Sequence, residues 1–225
     1  MKMGLAGAVA IATLSAASLA AAASQSFETP AIPANSIQYG PDEFAFNTNA
    51  VGPVVMAGVT FTGFAGVTTN TASGETTMGE WVNTPYGNQT AFIQSYQGTG
   101  GALDWSVSGL TVGKTYTLSF ADAENLTVPG DAFNLSAPGG ATVAFTDTST
   151  SWQTHTYQFT ANSSSEMIAF TGTSTGGNEA TAIDDLILSS VPEPATWAMM
   201  LLGLSGLGAA IRVSRRRAAL AHAAI

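Results

Sequence analysis

The sequence predicts an all-β protein, an antiparallel sandwich or barrel, and three observations carry that expectation. Between residues 24 and 190 no stretch keeps a helical period, while Thr, Ser, Gly and Asn are abundant. Short runs rich in β-branched and aromatic residues recur there, separated by Gly, Asn and Pro clusters that favour turns. One run alternates cleanly: in 115–121, Tyr116, Leu118 and Phe120 interleave with Thr115, Thr117 and Ser119. A period of two sends successive side chains to opposite faces, the mark of a half-buried strand.

The elements follow in order. Residues 1–23 carry Lys2, an apolar stretch through Leu19 and an Ala21-Ala22-Ala23 end. That pattern is a secretory signal peptide with a small-residue cleavage site, placed before Ser24. Residues 24–190 form one exported domain. Strands are expected at 59–64, 91–97, 102–107, 115–121, 132–135, 141–145, 152–160, 167–172 and 182–189, with 108–113 as a turn. Strands of this length and spacing suit a sandwich or barrel. The chain has 0 cysteines, so an exported domain must rely on core burial or bound ions instead of disulfides.

Charge narrows the partners. Of the 15 acidic residues all but Glu193 lie in 24–190, where Lys114 is the sole Lys or Arg. Such a surface repels nucleic-acid phosphates and anionic headgroups, which excludes DNA or RNA binding for this region. It remains compatible with calcium and with neutral sugars.

The C-terminal part, 191–217, reads differently. Pro192-Glu193-Pro194 leads into 195–211, which holds no charged residue and is rich in Leu, Met, Ala and Gly. A membrane helix needs roughly 20 apolar residues and about 17 at the least, so 195–211 is a short span. Trp197 sits at one end, and Arg212, Arg215, Arg216 and Arg217 follow the other. Indoles favour the headgroup interface and flanking arginines stay cytoplasmic, which leaves the large domain outside. Gly203, Gly206 and Gly208 offer a smooth face for a neighbouring helix. Residues 218–225 form a short tail with no readable role.

At these residues the chain resembles the PEP-CTERM sorting signal of Gram-negative bacteria, in the variant Pro-Glu-Pro-x-x-Trp-Ala. Pro192, Glu193, Pro194, Trp197 and Ala198 match it, followed by the span and the basic end at Arg215, Arg216 and Arg217. The resemblance covers 191–217. It implies a precursor held in the inner membrane through lipid contacts of the helix. It also implies processing near Pro-Glu-Pro by an exosortase, a membrane-embedded cysteine transpeptidase-like enzyme, and a cell-surface or biofilm-matrix setting rich in exopolysaccharide.

A second resemblance spans most of 24–190. It is carried by the order of Ser26-Phe27-Glu28-Thr29-Pro30, Gly87-Asn88-Gln89-Thr90-Ala91-Phe92-Ile93-Gln94, the 110–120 run, the 152–159 run and Ile183-Asp184-Asp185-Leu186. In that order the chain resembles a galactose-binding-like jelly roll, a layout shared by many carbohydrate-binding modules. The resemblance implies eight or nine strands with the first and last adjacent, and a structural calcium bridging them. By position its carboxylates would be Glu28 and Asp185, with Asp184 as the alternate; strand alternation leaves that choice open. Oxygen ligands of this kind suit calcium.

The remaining chemistry is sparse. His155 is the single histidine of 24–190, and no Gly-x-Ser-x-Gly elbow accompanies it. It reads as an ordinary strand residue, and no carboxylate pair stands out for glycoside hydrolysis. No enzyme is expected. Sugar binding needs exposed aromatics to stack on pyranose faces, with amides to bond hydroxyls. Trp81 and Tyr86 are the best pair, with Asn83 and Asn88 beside them on a loop; Trp105 and Trp152 are expected in the core. Three Asn-x-Ser/Thr triplets, at Asn88, Asn125 and Asn134, are expected to be chance matches in a Thr- and Asn-rich chain, since the resemblance to the sorting signal implies a bacterial source. The sequence therefore points to an exported, non-enzymatic matrix protein that binds carbohydrate. The alternatives are a ligand-free structural or adhesive protein and, behind that, a glycoside hydrolase.

Overall fold

The computed structural model describes residues 21–34, 36–40, 54–69, 83–96, 98–130, 132–146, 149–173, 177–191 and 200–213. Thirteen strands lie among them. In chain order they are β1 (Ala21–Gln25), β2 (Ile37–Tyr39), β3 (Val59–Thr62), β4 (Ala65–Thr69), β5 (Gln89–Tyr96), β6 (Thr99–Gly100) and β7 (Ala102–Ser108). Then come β8 (Thr115–Glu124), β9 (Phe133–Ser136), β10 (Val143–Phe145), β11 (Gln153–Thr160), β12 (Ser165–Gly172) and β13 (Asn178–Ser190). The larger sheet runs β11-β8-β13-β5-β4-β2, with β1 added to β13 and β6 to β5; the smaller runs β10-β9-β12-β7-β3. Every pairing is antiparallel.

The two sheets close over one core. Ile93, Leu118, Phe120, Ile183, Leu186 and Leu188 enter it from the larger sheet; Phe61, Leu103, Trp105, Phe133, Ile168 and Phe170 enter from the smaller. Fully burying a side chain of this size contributes about 1.5–3 kcal/mol, and that is what holds a domain without disulfides together. The alternation on β8 does as expected: Tyr116, Leu118 and Phe120 are buried while Thr115, Thr117 and Ser119 stay half-exposed. A second, smaller cluster covers the back of the larger sheet, where Ile37, Tyr39, Phe92, Ala180 and Ala182 pack with Phe64, Val128 and Trp152. The middle of β5 is therefore buried on both faces.

The structure agrees with the expected all-β sandwich of antiparallel sheets, and its first and last strands are adjacent, with Gln25 opposite Leu186. It has more strands than the eight or nine expected, because β1, β2, β4 and β6 had no recognised signal. The run 59–64 was expected as one strand. It ends as β3 at Thr62 in the smaller sheet; a turn at Gly63, with φ +57°, then leads the chain into β4, which starts at Ala65 in the larger sheet. Glycine tolerates that left-handed turn without the Cβ clash that other residues suffer. The expected signal-peptide cut before Ser24 falls inside β1, whose Ser24 and Gln25 lie opposite Ile187 and Leu186.

In the C-terminal part a helix is described over 200–213, with its side chains exposed. Among the described residues no helix is long and apolar enough to cross a membrane. Pro192, Glu193, Pro194, Trp197, Ala198, Arg215, Arg216 and Arg217 lie outside the described residues, as do 1–20 and 218–225.

Candidate functional site

The site is built where β13 changes neighbours. Its first half pairs with β5 as far as Ile183 opposite Ala91, and its second half pairs with β1 from Leu186 onward. Between these rungs the pairing with β8 also slips, from Asp184 to Ile187. Asp185 sits in that bulge with φ +52°. An aspartate occupies such a position more readily than most residues, and a bulge re-aims the side chains around it. Asp184 and Asp185 thus stand in the gap between the end of β1 and the start of β5, beside Glu28.

The three acids do different work. Asp184 is fully buried. Its Oδ2 accepts the Thr84 hydroxyl at 2.5 Å, and its Oδ1 accepts the Asp185 N–H at 2.7 Å. Glu28 Oε1 accepts the N–H groups of Asn88 and Gln89 at 2.8 and 2.9 Å. One carboxylate therefore holds the loop before β5 at Thr84, and the other holds it at residues 88–89. Thr84 Oγ1 in turn accepts the Tyr86 N–H at 3.1 Å, which shapes the tip. At Gly87 any Cβ would fall 2.1 Å from Glu28 Oε1, so the close approach of Glu28 requires a glycine there.

Burial pushes the Asp184 carboxyl up from 3.8 to about 7, and the negative charges of Glu28 and Asp185 add to the rise; the Thr84 and Asp185 hydrogen bonds oppose it. Desolvation penalises the charged form, and like charges compound the penalty.

The loop presents Tyr86. Its side chain is exposed and meets Trp152 edge-to-face, with ring centroids 5.9 Å apart and planes at 87°. Trp152 Nε1 donates to the Asn83 carbonyl at 3.0 Å, tying the loop to the start of β11. Trp152, half-buried against the cluster on the back of the larger sheet, thus also backs Tyr86, whereas Trp105 is in the main core as expected. The expected partner of Tyr86, Trp81, lies outside the described residues. Asn83 and Asn88 are on the loop as anticipated, but their bonds here run through backbone atoms.

Sequence reasoning missed Thr84 and Gln89. Gln89 is buried; its Oε1 accepts the Ile32 N–H at 2.5 Å, and its Nε2 donates to Phe27 O at 2.6 Å and Pro30 O at 3.1 Å. It locks the segment carrying Glu28 against β5. Only its place beside the expected loop could have suggested a role.

For calcium, the donors are of the right kind and carry the right charge. Three of the oxygens, however, already accept N–H or O–H groups. Among the described residues no three His, Cys, Asp or Glu side chains are grouped closely enough to hold one ion. An ion here would have to take the place of some of those hydrogen bonds.

Comparison with known proteins adds two findings. Residues 190–217 match the PEP-CTERM protein-sorting motif, so the chain carries that signal at its C-terminal part, and the signal implies export and a membrane-anchored precursor. No curated protein matches the chain. Among solved structures, the chain is similar to the CBM22-1 xylan-binding domain of Paenibacillus barcinonensis Xyn10C. The identity is 17%, with 72% of this chain and 99% of that one covered, and the TM-score is 0.41. It is also similar to a CBM35 from Paenibacillus barcinonensis, at 22% identity with 60% and 94% covered and a TM-score of 0.41. A third is TmCBM61, solved with beta-1,4-galactotriose, at 15% identity with 59% and 88% covered and a TM-score of 0.40. The fold described above stands on strand order and register alone.

Proposed function

We propose that the sandwich is a non-enzymatic carbohydrate-binding domain. In this reading the sorting signal delivers it, through exosortase-type processing, to the cell surface or extracellular matrix, where it holds exopolysaccharide. The observation that carries the reading is the exposed Tyr86 ring, backed by Trp152 on a loop pinned at both ends by carboxylates. A ring held in place loses little freedom when a sugar stacks on it, so more of the contact energy reaches affinity. The acidic, nearly base-free domain favours a neutral polysaccharide over an anionic one.

The test is retention of the full chain on a panel of neutral polysaccharides, in a detergent without a sugar headgroup. Saturable retention that Tyr86→Ala abolishes supports the reading. No retention of a folded chain favours the ligand-free structural or adhesive alternative. Turnover of any of these polysaccharides contradicts the non-enzymatic assignment.

Calcium is proposed here as a stabilising ion of Glu28 with Asp184 or Asp185. Its support is the mutual repulsion of these carboxylates, which a divalent cation would relieve. Calcium binds the deprotonated form, so its effect must grow with pH. A melting temperature raised by calcium over chelator at about pH 8, and not at about pH 4.5, is the expected result. Identical melting in both at the higher pH overturns the proposal.

A further inference from the structure

A second site lies on the open edge of the sandwich. A groove of about 440 Å³ is lined by Ala144, Phe145, Thr146, Ser149, Gln153 and His155. Its walls come from β10 and β11, the outermost strands of the smaller and larger sheets. Its volume falls within the range of small-molecule sites, about 300–1,000 Å³. It is separate from Tyr86: Trp152 turns to the 83–88 loop, while the next residue, Gln153, and His155 line the groove.

The walls are built from the core outward. His155 Nε2 lies 2.9 Å from Oδ1 of the fully buried Asp122, which fixes the imidazole in place. The Phe145 ring stands against it at 5.3 Å with planes at 72°, and Phe120 packs on both rings. One face of Phe145 is stacked on Phe133 at 5.3 Å, so its other face and the half-buried imidazole border the groove in a corner anchored in the core. Polar groups surround the corner: the Gln153 amide, which donates to Ser149 Oγ at 3.4 Å and Ser151 O at 3.2 Å, and the hydroxyls of Ser149 and Thr146.

A flat apolar wall beside amides and hydroxyls matches a pyranose, which has an apolar C–H face and a rim of hydroxyls. Charge selects further. Neither Lys nor Arg lines the groove, and the one lysine of 24–190, Lys114, lies just before β8, at the opposite end of that strand from Asp122. An anionic ligand would meet the imidazole already set against a buried carboxylate. The geometry points to a binding site for a single neutral pyranose ring, formed by Phe145, Gln153 and His155. This assignment does not rest on the Tyr86 platform.

Saturation-transfer NMR on the full chain, in a detergent without a sugar headgroup, tests it with galactose, glucose and xylose. Glucuronate and glucosamine serve as charged counterparts. At least one neutral sugar is expected to bind saturably, and Gln153→Ala should weaken it about fivefold, the scale of one lost hydrogen bond. Each titration is run in the Tyr86→Ala background, where the platform cannot contribute, and the binding that Gln153→Ala weakens is expected there. Gln153 is exposed, so this variant keeps the fold; Phe145→Ala, checked for cooperative melting, is the second variant. The proposal is overturned if none of the three neutral sugars binds, or if binding survives Gln153→Ala at full strength. Loss in Tyr86→Ala alone would place the sugar on the platform, and tighter binding of a charged sugar would refute the neutral assignment. Polysaccharide retention that ignores Tyr86 would sink the platform reading instead and leave the groove standing.

Discussion

Asp184 is the residue that ties the site to the interior of the fold. It is buried, holds Thr84, and has its carboxyl pushed up to about 7 from 3.8. The native state thus keeps this proton more tightly than the unfolded chain does. Stability from this group is whole below 3.8, declines as the pH rises towards 7, and stays low above that. A rise of that size is worth on the order of 4 kcal/mol as an upper bound. Asp184→Asn removes the charge at the cost of rearranged hydrogen bonds, each worth about 1 kcal/mol. In chelator the variant is expected to melt above the parent at about pH 8 and no higher at about pH 4.5. Parallel melting curves across that range would show that Asp184 carries no such penalty.

Among the elements, β8 and β13 form the spine of the larger sheet, and Phe120 on β8 joins the rings of Phe133, Phe145 and Phe170. Phe120→Ala leaves a cavity at that junction and should cost about 3–5 kcal/mol in a denaturant titration. A loss below about 1 kcal/mol would mean the junction is not the core it is taken to be. β8 was legible in the sequence because one of its faces is buried and the other is not. β4 was not, since all five residues of Ala65–Thr69 are buried and give no alternation. β1 begins in the Ala-rich stretch that reads as the end of a signal peptide, and β2 is only three residues long. The site shows the same divide. Glu28, Asp184 and Asp185 were picked out as a set, but the bond from Thr84 to Asp184 spans 100 positions and leaves no local pattern. The loop's tyrosine was visible in the sequence; its tryptophan partner, 66 residues further on, emerged only from the folded chain.

At the scale of the whole molecule, the chain carries a net charge of −9 and a C-terminal sorting motif that implies export. If that motif is processed, replacing Pro192 and Glu193 by alanine in the producing cell should leave a larger, membrane-bound form. Unchanged mature size and surface delivery would defeat the sorting account. The central claim is that the pinned loop makes Tyr86 a sugar platform. Isothermal titration of the full chain with an oligosaccharide of the best-retained polysaccharide tests it most directly. The account predicts that Tyr86→Ala weakens binding roughly tenfold or more with no change in melting, about 1.4 kcal/mol of lost contact. Equal affinity of parent and variant would contradict it.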